Sequence, residues 1–160
     1  MKRSVLILLA SVLILLTACK HEAPVLKDTF RSDIAVKGGE LDFTATVDCS
    51  PGAVILEVTS PATVAGIRYS YANGELHTSY GSLDSITGSI SLPPSAAPAL
   101  LCEVLSRLQE AEYDEDADGD EDVFRLTLKA GKAAISADDG AIRTITADFS
   151  PCVITFTDRS

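Results

Sequence analysis

The 160-residue sequence predicts a mainly β (α+β) domain, with one antiparallel sheet of about ten strands and a single helix in the order six strands, helix, four strands. Three observations carry that expectation. Apolar residues recur at every second position through most of the chain, the spacing that places them on one face of a strand. Turn residues such as Gly38-Gly39, Asn73-Gly74 and Asp139-Gly140 punctuate those runs. Only one segment, residues 95–112, carries its apolar residues at helical spacing instead.

The stretch at 53–80 is the most regular. Val54, Leu56 and Val58 alternate with polar neighbours, Ser60-Pro61 interrupts, and Ile67, Tyr69 and Tyr71 resume the pattern. Asn73-Gly74 supplies the two positive-φ residues of a tight hairpin, and Leu76, Thr78 and Tyr80 run back. Before this meander, Phe30, Ile34 and Val36 make a first strand, and Leu41, Phe43, Ala45, Val47 and Cys49 make a second. Ser50-Pro51-Gly52 turns the second into the third. After the meander, Ile86, Ile90 and Leu92 give a sixth strand, stopped by Pro93-Pro94. The helix follows, with Ser95 as N-cap, Pro98 in the first turn and a stripe of Leu101, Val104, Leu105 and Leu108 running to about Glu112. Four strands close the chain at 123–129, 132–137, 141–147 and 151–157, with turns near Ala130-Gly131, Asp139-Gly140 and Ser150-Pro151.

Size then constrains shape. Ten strands spaced ~4.8 Å apart span nearly 50 Å, whereas a helix of about 17 residues is ~25 Å long and ~10 Å across. One helix cannot cover that apolar face. The sheet must curl around the helix, close on itself, or leave an apolar concavity.

The N-terminus gives an address. Met1-Lys2-Arg3 is a basic start, and residues 5–16 form an apolar run too short to span a bilayer comfortably. The run ends in Leu16-Thr17-Ala18-Cys19, which resembles the bacterial lipobox. That resemblance implies a signal peptide over 1–18, cleavage before Cys19, and a diacylglycerol thioether on its sulfur. Residues 19–28 then form a polar tether and 29–160 a single domain, extracytoplasmic and lipid-anchored to the bacterial cell membrane (the outer membrane in a Gram-negative source). From Cys19 onward the chain has eleven basic and 23 acidic side chains, a formal charge of −12. Nucleic acid is excluded as a partner by that charge. Anionic headgroups repel it as well, so membrane attachment is expected through the lipid.

Strands, a helix and more strands behind a lipobox are similar in layout to the lipoprotein-carrier (LolA/LolB-like) half-barrels. The chain is closer still to small LolA-like lipoproteins of Gram-positive bacteria, one type of which acts in spore germination. The residues that carry the resemblance are Phe30 to Val36, the strand end Leu56-Glu57-Val58-Thr59-Ser60-Pro61, and Gly66-Ile67-Arg68-Tyr69-Ser70-Tyr71 with Asn73-Gly74. It implies a curved sheet cupped around a helix, with an apolar cavity for acyl chains or a protein segment. The chain departs from the carriers in being short and in having one clear helix. The residues expected to line such a cavity are Phe43, Val47, Leu56, Val58, Ile67, Tyr69, Tyr71, Leu101 and Leu105.

Residues 114–122 hold seven acids in nine positions. Asp114, Asp116, Asp118 and Gly119 match positions 1, 3, 5 and 6 of a calcium loop, and Asp120 position 7; Arg125 stands where a bidentate Glu should close it. The two expectations there are a solvated acidic connector and a weak calcium site. No other cofactor is expected. Cys49, Cys102 and Cys152 all fall on apolar faces, leaving one internal disulfide among them or three buried thiols as alternatives. His21 lies in the tether, His77 alternates onto a polar face, and no catalytic motif stands out. The leading function is therefore a non-enzymatic, membrane-tethered module that binds a lipid or acyl chain on its concave face. The alternative is an envelope lipoprotein whose sheet binds a partner protein or a second copy of itself, and an envelope hydrolase is held in reserve.

Overall fold

The computed structural model describes residues 24–157 apart from 40, 82, 85–91 and 118–120. Six strands come first: β1 (Phe30–Lys37), β2 (Phe43–Ser50), β3 (Ala53–Ser60), β4 (Ile67–Ala72), β5 (Glu75–Tyr80) and β6 (Leu83–Asp84). Helix α1 (Ala97–Ser106) and a 3₁₀ turn (Leu108–Glu110) follow. Then come β7 (Glu112–Tyr113), β8 (Asp122–Thr127), β9 (Lys132–Asp138), β10 (Ala141–Ala147) and β11 (Ser150–Thr157).

All eleven strands pair antiparallel in one sheet, in the order β6-β5-β4-β3-β2-β1-β11-β10-β9-β8-β7. Each half is a meander of neighbours in sequence, and the halves meet where β1 pairs with β11. Because β6 and β7 are opposite edges, the connection between them must cross the whole sheet. The helix rides on that crossing. It packs on β2, β3, β4 and β11, which are not all adjacent. Eleven strands span about 48 Å and a ten-residue helix only ~15 Å, so one short helix reaches these strands because the sheet curls around it. Irregular registers between Thr44 and Ala45, Ile142 and Thr144, and Ile145 and Ala147 add local bends. The mainly β antiparallel sheet with one docked helix is the one the alternation predicts, and of the shapes open to so wide a sheet it takes the curl around the helix.

Alternation decides what faces inward. Ile34, Val36, Val47, Val54, Leu56, Ile135, Ile145 and Ile154 point from the sheet toward Leu100, Leu101, Val104 and Leu105 of the helix, all at most 3% exposed. The opposite face carries hydroxyls that pair with one another or with carboxylates, as Thr44 does with Thr59 at 2.9 Å and Thr46 with Asp33 at 3.0 Å.

Several expectations need correction. The helix ends six residues before Glu112. The Ser106 hydroxyl donates back to the Glu103 carbonyl (2.9 Å), and Arg107 leaves helical geometry at φ −122°. The 3₁₀ turn then buries Leu108 and brings Tyr113 edge-on to Phe124, with ring centroids 5.5 Å apart. This short β7 makes the second half five strands rather than four. Ser95 is not the N-cap. Ala96 holds that position without a side-chain bond, and the Ser95 carbonyl accepts the Ser150 hydroxyl at 2.8 Å. The last hairpin turns at Asp148-Phe149, where the Asp148 carboxylate accepts the Lys132 N–H at 2.9 Å, rather than at Ser150-Pro151. The sixth strand is described at Leu83–Asp84, ahead of the expected run; Leu92 lies in no strand, and Ile86 and Ile90, like the signal peptide and Cys19, lie outside the described residues. Cys49, Cys102 and Cys152 are buried and free.

Candidate functional site

At one end of the sheet three connections gather around the N-terminus of α1: β1 to β2, β3 to β4, and β10 to β11. They enclose a cavity of about 460 Å³, inside the ~300–1,000 Å³ range of small-molecule sites. The local sequence explains its walls. Thr59 is the extra residue where the β2–β3 register slips, so β3 bends away just past Val58. The loop from Pro61 to Gly66 returns over that end, and the Gly66 N–H donates to the Val58 carbonyl at 2.8 Å with φ +88°. Pro93, Ala96 and Pro98 roof the cavity with backbone that has little side chain to fill it.

Four of the nine expected lining residues meet here: Phe43, Val58, Ile67 and Tyr69. Val47, Leu56, Leu101 and Leu105 sit instead in the packed contact between helix and sheet, 0–3% exposed. Tyr71 faces a different hollow. The expected lining left out Leu41, Val64, Leu92 and Pro151: alternation placed Leu41 and Leu92 in strands that the structure does not extend to them, Val64 lies in the β3–β4 loop, and Pro151 is the second residue of β11. A second signal was available. Residues 85–102 form a run of eighteen without one charged side chain, in a chain where 22% of residues are charged. Among the described residues, no charged side chain lines this cavity. Burial pushes the Tyr69 hydroxyl upward from its ordinary pKa, with the Cys102 thiol adding to the effect, so at neutral pH it offers a neutral donor. Cys152 also lines the wall, its sulfur close against Gly39.

The second hollow is a more open cleft of about 760 Å³ on the outer side of α1. Tyr71 and Leu76 flank it from the β4–β5 hairpin, and Leu128 and Lys129 from the β8–β9 turn. Ala99, Glu103 and Arg107, at i, i+4 and i+8, form the helix wall. Leu92 touches both hollows. Arg107 is held by Glu110 at 2.5 Å and Glu103 at 3.8 Å. Lys129 has no ion-pair partner among the described residues.

The acidic connector is built differently. Asp114, the first position of the expected calcium loop, bonds Arg125 at 2.5 Å and accepts the Asp116 N–H at 3.3 Å. Asp118 and Asp120 lie outside the described residues, and among those described no three His, Cys, Asp or Glu side chains come together as metal ligands. His77 is exposed beside Glu75 at 3.5 Å, away from both hollows.

No family model and no curated protein matches the chain. Among solved structures it is similar to the LolA superfamily protein NE2245 from Nitrosomonas europaea, at 13% identity and a TM-score of 0.46, over 82% of this chain and 84% of that one.

Proposed function

We propose that the protein is a non-enzymatic, membrane-tethered extracytoplasmic lipoprotein that binds a lipid or acyl chain in the cavity beneath the α1 N-terminus. The observation that carries this reading is the cavity of about 460 Å³ whose described lining holds no charge. In a chain of formal charge −10, a hollow so cleared of ionic groups suits an occupant that cannot solvate them. The lipobox at Leu16-Thr17-Ala18-Cys19 supports the tether, and the resemblance to small Gram-positive LolA-like lipoproteins accords with both.

The test is mass spectrometry of organic extracts of the purified protein, with Val64→Trp as the filled-cavity control. Stoichiometric lipid in the wild type and little in Val64→Trp is the expected result. Equal lipid in both would remove the cavity from the argument. Cys19→Ser tests the anchor: the variant should stay unprocessed or move to the soluble extracytoplasmic fraction. Continued maturation and membrane association would overturn lipidation. The alternative, a lipoprotein that binds an envelope protein, draws on Leu41 and Tyr80, 46% and 53% exposed near the cavity's end of the sheet. Extracts free of lipid, with a partner lost on Leu41→Ser/Tyr80→Ser, would favour it.

A further inference from the structure

We infer that the cavity and the cleft form one binding groove for an acyl amphiphile with an anionic head, the chain in the charge-free cavity and the head against Lys129. The inference rests on the acyl-binding reading above and adds the class of ligand.

Continuity comes first. Leu92 lines both hollows, and the helix passes along both, its first residues Ala97 and Pro98 on the cavity and Ala99, Glu103 and Arg107 on the cleft. From Ala96 to Arg107 is eleven residues, roughly 16 Å along a helix, a span suited to a long-chain amphiphile. Tyr69 and Tyr71, two apart on β4, likewise line one hollow each.

Charge supplies the polarity. Beside the apolar floor of Tyr71, Leu76 and Leu128, the cleft has one anion and two cations on its wall among the described residues. Glu103 lies against Arg107, whose charge is further taken up by Glu110. Lys129 is the cation left over. An acidic head gains nothing from the strongly acidic surface elsewhere, so an uncommitted ammonium at the open end of an apolar groove decides its orientation.

The test is displacement of a fluorescent acyl probe from the intact protein at low ionic strength. The competitors are palmitate, palmitoyl lysophosphatidylglycerol and palmitoyl lysophosphatidylcholine, which share a chain and differ in head charge. Both anionic competitors should displace about tenfold better than the zwitterionic one, as a charge-assisted contact predicts. The preference should shrink with added salt, vanish in Lys129→Glu and survive in Lys129→Arg. Preference for palmitate alone would identify a carboxylate rather than a phosphate as the head and still support an anionic groove. Equal displacement by all three, or a preference that survives Lys129→Glu, would overturn the inference while leaving acyl binding intact. Displacement by none would remove both readings.

Discussion

The two hollows lie along the same helix and are made of opposite material. The cavity is walled by turns and by backbone with small or cyclic side chains, and it is dry in composition. The cleft is walled by one helix stripe and two hairpins, with charges at its rim. The difference follows from topology. The cavity sits where the sheet's curl brings β2, β3, β4 and β11 under the start of α1. The cleft sits where the open sheet stops short of closing around the helix, so its walls must also meet water. An open half-barrel thus makes one hollow with no charge in its described lining and one with charges at its rim from a single incomplete closure.

The largest effect should come from breaking the partition itself. Leu105, 3% exposed in the helix–sheet contact, becomes an unpaired buried carboxylate in Leu105→Asp. A loss of about 3–5 kcal/mol is expected, enough to abolish both hollows with the fold, and a urea melt measures it. A separation of the two hollows comes next. Val64→Trp should weaken an acyl probe at least about tenfold while leaving the melting midpoint within a few degrees. Leu76→Trp, on the cleft side, should leave probe affinity largely intact and reduce head discrimination.

Alkaline pH should weaken the packed contact between helix and sheet that both hollows border. Burial pushes the Cys49 and Cys102 thiols up to about 12 from an ordinary 9, with nearby Asp28 acting in the same direction on Cys49 and Cys49 on Cys102. Above pH 9 the unfolded thiols release protons that the folded ones keep. Stability should therefore be intact below pH 9 and fall between pH 9 and about 12, by roughly 1.4 kcal/mol per unit per thiol. Denaturant melts from pH 8 to 11 check it, and Cys102→Ala should flatten the slope. The smallest effect belongs outside both hollows. The Arg125–Asp114 pair has Arg125 58% exposed, so Arg125→Ala should cost less than about 1 kcal/mol.

Much of the fold was legible because period-2 alternation is a direct consequence of a sheet with one wet face. β1 to β5 and β8 to β11 fall close to the expected runs, and Asn73-Gly74 turns with φ of +53° and +83°. β7 escaped notice because two residues carry no period; only the Tyr113–Phe124 ring contact and pairing with β8 define it. The helix was read too long because Leu108 keeps helical spacing while its backbone has already tightened into a 3₁₀ turn. The site was half legible for a similar reason. Alternation finds the inward side chains of the strands, but it cannot tell Val47, pressed against the helix, from Val58, which lines the cavity. That distinction depends on where the helix starts and where a bulge bends β3, and both are tertiary facts.

The seam between β1 and β11 has a kinetic consequence. Every other ladder joins neighbours in sequence, whereas this one pairs Ile34 with Phe156 and is clasped by the Ser32 hydroxyl on the Thr157 carbonyl, 125 residues away. Each meander can assemble from local hairpins, but the seam must wait for a loop of nearly the whole domain to close. Weakening the seam should slow folding more than it speeds unfolding only if closure is the barrier. Chain order, which puts the first strand beside the last at the middle of the sheet, makes that joint the natural place for the rate to be set.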